Sequence, residues 1–237
     1  MPNSPTRRAG VVTLVSAALM VIGANASFAQ EISQPEKILF QSNHFGTINK
    51  PTQVHYTYHQ EAAAEDAFDD TVTLTISKAN ADGTASVAAQ FLTGSHAVPI
   101  ATIDHAQGNP AILGFLERDI AEMKRVTGGS TNYFRKRIRL ALAAPDAALK
   151  PITVSYAGRP VAAKEITVRP YVDDPLKERF GKFAGKGYVF VISDVIPGSV
   201  FQVYTTMSTE QSSTQIATAM TIVQGDPGQK KKTRPGT

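Results

Sequence analysis

Between Gly108 and Ala143 the chain reads GNPAILGFLERDIAEMKRVTGGSTNYFRKRIRLALA, its densest run of side chains with the means to do chemistry. Asp119 and Glu122 stand three residues apart, so a helix sets both carboxylates on one face, as an acid/base pair requires. Glu122 also has Arg118 one turn before it and Arg125 one turn after. A solvated helix face with weak surface ion pairs accounts for the same spacing without chemistry. Gly128-Gly129-Ser130-Thr131 opens a second helical stretch, where free N–H groups either cradle an anion or simply turn the chain. The cluster Arg135, Lys136, Arg137 and Arg139 suits a phosphate or carboxylate head group, or the acids of the preceding helix. Gly129, Ser130, Arg135 and Arg139 are therefore the candidate anion or head-group contacts.

Outside this block the chemistry is sparse. His55 and His59 share one face of a strand, but four residues of strand span roughly 13 Å, too far for one metal ion. His96 or His105 would have to fold back with Asp104 to make a site, and ordinary surface histidines are the simpler expectation. No G-x-S-x-G elbow, P-loop, G-x-G-x-x-G or H-E-x-x-H occurs. No catalytic residue, metal site or cofactor is assigned. The enzymatic alternative is a cell-wall or lipid hydrolase using the helical acids.

The elements that would carry these residues are legible. TQVHYTYHQ puts Val54, Tyr56 and Tyr58 on one face, and TVTLTIS puts Val72, Leu74 and Ile76 opposite its threonines, the period-two mark of half-buried strands. ASVAAQFL follows a turn at Asp82-Gly83. ITVSY and VAAKEITVRPY flank Ala157-Gly158-Arg159-Pro160, GYVFVIS and VFQVYTT flank Val195-Ile196-Pro197-Gly198, and STQIATAMTIV comes last. Such short connections imply antiparallel pairing, and seven to nine one-sided strands curl. Between the two halves lies the helical insertion, at about 109–144. Asn109 caps it, Pro110 begins it, and Ile112, Leu116, Ile120 and Met123 form its first stripe, with Phe115 beside them. Gly128-Gly129 divides it, and Phe134, Ile138, Ala141 and Leu142 form the second stripe before Pro145. The fold class is mainly β (α+β): a curled antiparallel sheet or half-barrel covered by an αα-hairpin.

Arg7 and Arg8, the apolar run VVTLVSAALMVIGA and Ser27-Phe28-Ala29 read as a signal peptide over 1–29. The expected location is the periplasm, with no membrane span after cleavage, because the apolar run is shorter than the roughly 20 residues a bilayer needs. There is no cysteine, hence no disulfide or thiol chemistry. Of the 24 Lys and Arg, two lie in the signal and four in the tail; of the 20 Asp and Glu, one lies in the tail. That leaves 18 bases against 19 acids over 30–225, one near-neutral domain, which argues against nucleic acid as a partner. Residues 226–237 read as a disordered basic tail. The chain lacks Trp and its strands are modestly hydrophobic, unlike an outer-membrane barrel with aromatic girdles.

With these strands, the inserted helices and the hairpin at Pro197-Gly198, the chain resembles the half-barrel fold of periplasmic lipoprotein carriers and related envelope lipid-binding proteins, the Lol type. The resemblance implies an open antiparallel barrel capped by helices, with a cavity that takes acyl chains. In this chain both helices stand in one block, and no functional residue is carried over. The expected function is a non-enzymatic periplasmic protein binding an apolar or lipid-like ligand, a lipid or a lipoprotein. Val54, Tyr56, Tyr58, Val72, Leu74, Ile76 and Phe91 would line its cavity, and Arg135 and Arg139 would meet a head group. The alternative is an envelope structural or interaction protein, with a protein partner, whose helices fill the concavity.

Overall fold

The computed structural model describes residues 32–61, 66–145, 147–207 and 215–223; the expected signal and basic tail lie outside them. Nine strands form one antiparallel sheet: β1 (Thr52–Gln60), β2 (Phe68–Ala79), β3 (Ala85–Phe91), β4 (Ile103–Ala106), β5 (Ala148–Tyr156), β6 (Arg159–Val168), β7 (Gly187–Ile192), β8 (Val200–Met207) and β9 (Gln215–Ile222). Their spatial order is β4-β3-β2-β1-β9-β8-β7-β6-β5, and the sheet is not closed into a barrel. The first and last strands thus pair near the middle, while β4 and β5 are the two edges. The stretch joining β4 to β5 must travel from one edge to the other. At about 4.8 Å per strand a flat sheet of this size would be roughly 38 Å wide. The helical insertion makes that journey: α2 (Pro110–Thr127) and α3 (Thr131–Ala143).

The sheet is far from flat. Tyr156, at the end of edge strand β5, lines the same cleft as Val54 of β1 and Ile76 of β2. Five strand spacings separate β5 from β1 along the hydrogen-bonded order. Only strong curling brings them together.

The inner face follows the alternation. Tyr56 pairs with Val72 and Ile222, Tyr58 with Met220, and Val72 with Phe91, all buried. β7 is buried on both faces: Tyr188, Phe190 and Ile192 look inward, while Val189 and Val191 pack with Ala163 on the other side. Edge strand β5 is largely exposed and carries Lys150 and Pro151, which discourage a further strand from pairing there.

Three short segments lie beyond the period-two and long-helix patterns. α1 (Gln34–Glu36) has a Ser33/Glu36 capping box and continues into a π-turn, Lys37–Gln41. 3₁₀ turns run over Gly94–His96 and over Lys177–Gly185.

α2 begins where the residues dictate. The Asn109 side chain accepts from the Ala111 N–H at 2.9 Å, and its amide donates to Tyr56 Oη at 2.9 Å and the Gly198 carbonyl at 2.8 Å. One side chain therefore caps the helix and ties it to β1 and the β7–β8 turn. Gly128 ends α2 in the left-handed region at φ 71, and its N–H donates to the Lys124 carbonyl. Ser130 caps α3 by accepting from the Tyr133 N–H.

The acids of α2 depart from the solvated-face expectation. Asp119 is 4% and Glu122 5% exposed. Lys186, just before β7, bonds Asp119 Oδ1 in the core, and Tyr188 donates to Oδ2 at 2.6 Å. Tyr171 then donates to Tyr188 across 3.0 Å, because the Tyr188 proton is already committed. The physical reason is tertiary: a partner 67 residues away in sequence makes burial of this carboxylate tolerable.

Candidate functional site

The two halves of the expected site sit in different places. Val54, Tyr56, Tyr58, Val72, Leu74, Ile76 and Phe91 are all buried in the main core, together with Ile112, Phe115 and Ile120 of α2. The Tyr58 ring lies 6.2 Å from that of Phe115, centre to centre, and is tilted against it. A Cβ added at Gly114 would fall 2.4 Å from the Phe91 ring, so α2 lies directly on β3 and only glycine fits. Along this contact the helix occupies the space that a ligand would take. Val54 and Ile76 also border an open cleft of about 690 Å³, with Tyr156, Pro197 and Ile222.

Arg135 and Arg139 lie elsewhere, on a groove of about 270 Å³ between α1, α2 and α3. Phe40, Leu113, Leu116, Ile120, Ile138 and Leu142 supply its apolar surface, and Glu36, Glu117, Arg135 and Arg139 its charged rim. Its shape comes from three capped elements. Ser33 Oγ donates to the Leu142 carbonyl at 2.8 Å, which fastens α1 across the end of α3. Phe40 follows on the π-turn and is 37% exposed; Leu113 is 49% exposed.

On the rim, Arg135 holds Glu117 through two bonds, Nε–Oε1 at 2.8 Å and Nη2–Oε2 at 2.6 Å, and also donates to Asn132. The hydrogen bonds to Glu117, and then its opposite charge, raise the Arg135 pKa further above its ordinary value. Arg139 is exposed and has no ion pair among the described residues. The groove thus offers an apolar floor and one uncommitted guanidinium. Gly129 and Ser130 do not line it. The Gly129 N–H donates to Thr127 Oγ1 at 3.3 Å and Ser130 Oγ caps α3, so both groups are used within the hairpin. A Cβ at Gly129 would meet the Phe134 ring at 2.6 Å, the packing reason for glycine there.

The other titratable groups form local pairs. Arg137 Nε lies 2.6 Å from Asp174 Oδ2, an ion pair outside hydrogen-bond alignment, while Tyr133 donates to Oδ1 of the same carboxylate at 2.6 Å. His59 sits between Asp69 at 2.7 Å and Glu61 at 3.1 Å on the exposed side of β1; their hydrogen bonds raise its pKa. Among the described residues no group of three or more His, Cys, Asp or Glu has the geometry of a metal site. No described helix is long and apolar enough to cross a membrane.

Sequence reasoning missed Phe40 and Leu113. The available signals were the S-x-x-E box before the apolar run ILF, and Leu113 as an apolar residue off the buried stripe of α2. Comparison with protein families and with curated proteins finds no match for this chain.

Proposed function

We propose that this chain is a non-enzymatic binding protein of the cell envelope, and that the groove between α1, α2 and α3 takes the apolar segment of a lipid-like amphiphile. The observation that carries the reading is the pairing of an apolar groove with the uncommitted Arg139 at its rim. About 270 Å³ has room for roughly nine water-sized groups, enough for a medium alkyl segment rather than a whole lipid. It stands near the lower end of ligand pockets, so part of the ligand stays outside, where a carboxylate or phosphate meets Arg139. The signal peptide read from the sequence supports an envelope location.

A fluorescent fatty acid titrated into the purified protein tests this, with native mass spectrometry for co-purified lipid. Saturable uptake is expected, weakened about tenfold by Arg139→Ala for an acid but little for the matching alcohol, as loss of one charged hydrogen bond implies. Absence of both uptake and bound lipid would sink the reading.

The contact of Gly114 with Phe91 favours a second reading, an envelope interaction protein whose helices fill the concavity. Crosslinking in intact cells that repeatedly traps one envelope protein, with no lipid bound, would select it.

A further inference from the structure

The carboxylates of the helical hairpin are taken up, while several of its cations are not. Asp119 is held by Lys186 in the core, Glu117 by Arg135, and Glu122 is buried. Lys124, Lys136 and Arg139 are exposed and form no ion pair among the described residues. Helical spacing sets Leu113, Glu117 and Lys124 on one outward stripe of α2. On α3 the same spacing sets Lys136 and Leu140 opposite the buried Phe134 and Ile138. Leu113 is 49% and Leu140 46% exposed; Leu113 borders the groove beside α1, and Leu140 borders a cleft between α3 and strands β5 and β6. Burial of the acids has thus left a face with positive charge and protruding leucines.

That combination is the chemistry of an interfacial helix, where apolar side chains enter the head-group layer and cations meet lipid phosphates. A protein partner would have to offer matching acids around apolar sockets; an anionic bilayer offers both everywhere on its surface. We infer that the outward face of the α2–α3 hairpin docks on an anionic lipid surface. Leu113 and Leu140 enter the head-group region, and Lys124, Lys136 and Arg139 lie against phosphates. The inference extends the groove's reading as a lipid site, yet Lys124, Lys136 and Leu140 do not line that groove, so the two can fail separately.

The test is co-sedimentation of the purified protein with phosphatidylcholine vesicles, with and without phosphatidylglycerol. It is run at about 0.1 M and about 1 M salt, where the screening length falls from roughly 10 Å to roughly 3 Å. Preferential binding to the anionic vesicles at low salt is expected. Lys124→Gln with Lys136→Gln lowers it by about 25-fold, each cation near such a surface being worth on the order of fivefold. Leu140→Gln lowers binding at both salts. Uptake of a monomeric fatty-acid probe stays unchanged in the lysine pair. Residues 226–237 keep their own cations in every variant, so the difference between variants belongs to the helices. Equal binding to both vesicle types, or a lysine-pair variant that binds like its parent, overturns the inference. Loss of probe uptake with docking intact supports the docking and removes the groove's reading instead.

Discussion

A buried ion pair and a buried histidine help to hold α2, and each makes a different prediction. Lys186 and Asp119 are both almost wholly buried, so removing one leaves the other charged and unpaired in the core. Lys186→Met should cost about 3–5 kcal/mol in urea unfolding, whereas Lys186→Met with Asp119→Leu should recover most of the loss. If the double replacement is as unstable as the single, the pair is not what holds the helix there. His44 works differently. Its Nε2–H donates to the Ile38 carbonyl at 2.7 Å and its Nδ1 accepts from the Asn109 N–H at 3.0 Å, which fixes the neutral ring. Burial is the main cause that pulls its pKa below the ordinary value, so the folded protein gives up this proton more readily than the unfolded chain. Stability is therefore complete above the unfolded value of about 6.5 and declines as pH falls below it, because the unfolded chain takes up a proton that the buried ring resists. Unfolding midpoints measured between about pH 7.5 and pH 5 should fall for the parent protein, with a flatter slope for His44→Gln. Equal slopes would show that His44 does not set the acid sensitivity.

At the scale of elements, the contact of α2 with β3 is closer than two ordinary side chains allow. Gly114→Ala would push a Cβ into Phe91 and Ile100, and a loss of about 1–3 kcal/mol is expected from overpacking. That outweighs the gain of up to about 1 kcal/mol that alanine brings to a helix interior. Gly114→Ala combined with Phe91→Leu should be less unstable than Gly114→Ala alone; an unchanged or raised melting temperature for Gly114→Ala would show that the contact is slack. This contact was not legible in the sequence, although α2 itself was. Asn109-Pro110 at its start, Gly128 at its end and the stripe from Ile112 to Met123 are local signals, as is the alternation in β1 and β2. Burial of Asp119 was not legible, because it depends on Lys186 and on the fold that brings β7 beneath α2. The groove was half visible for the same reason: Arg135 and Arg139 stand out in the sequence, while Phe40 acquires its place only once α1 is fastened to α3 by Ser33. β4, four residues long, carries too short a pattern to be read as a strand.

The order of strands gives the whole molecule its constraint. β1 pairs with β2 on one side and with β9 on the other, so the middle of the sheet is complete only when the last strand is in place. The two halves, β1–β4 and β5–β9, meet at that pairing and are otherwise linked in sequence by the helical insertion between the outer edges. Local hairpins can form early, but the β1–β9 pairing closes a loop of more than a hundred residues and is paid for last in chain entropy. β9 also brings Met220 and Ile222, both buried against β1. A chain ending at Met207 would therefore leave β1 and β8 with bare edges and the core short of two side chains. It should lose the single cooperative urea transition expected of the full chain and bind a hydrophobic dye such as ANS. Supplying the missing strand as a separate peptide spanning Gln215–Val223 should restore the transition in proportion to its concentration, since it binds only the folded sheet. If the shortened chain still unfolds cooperatively without the peptide, each half holds its own structure, and the central pairing is a junction between them rather than the step that completes the fold.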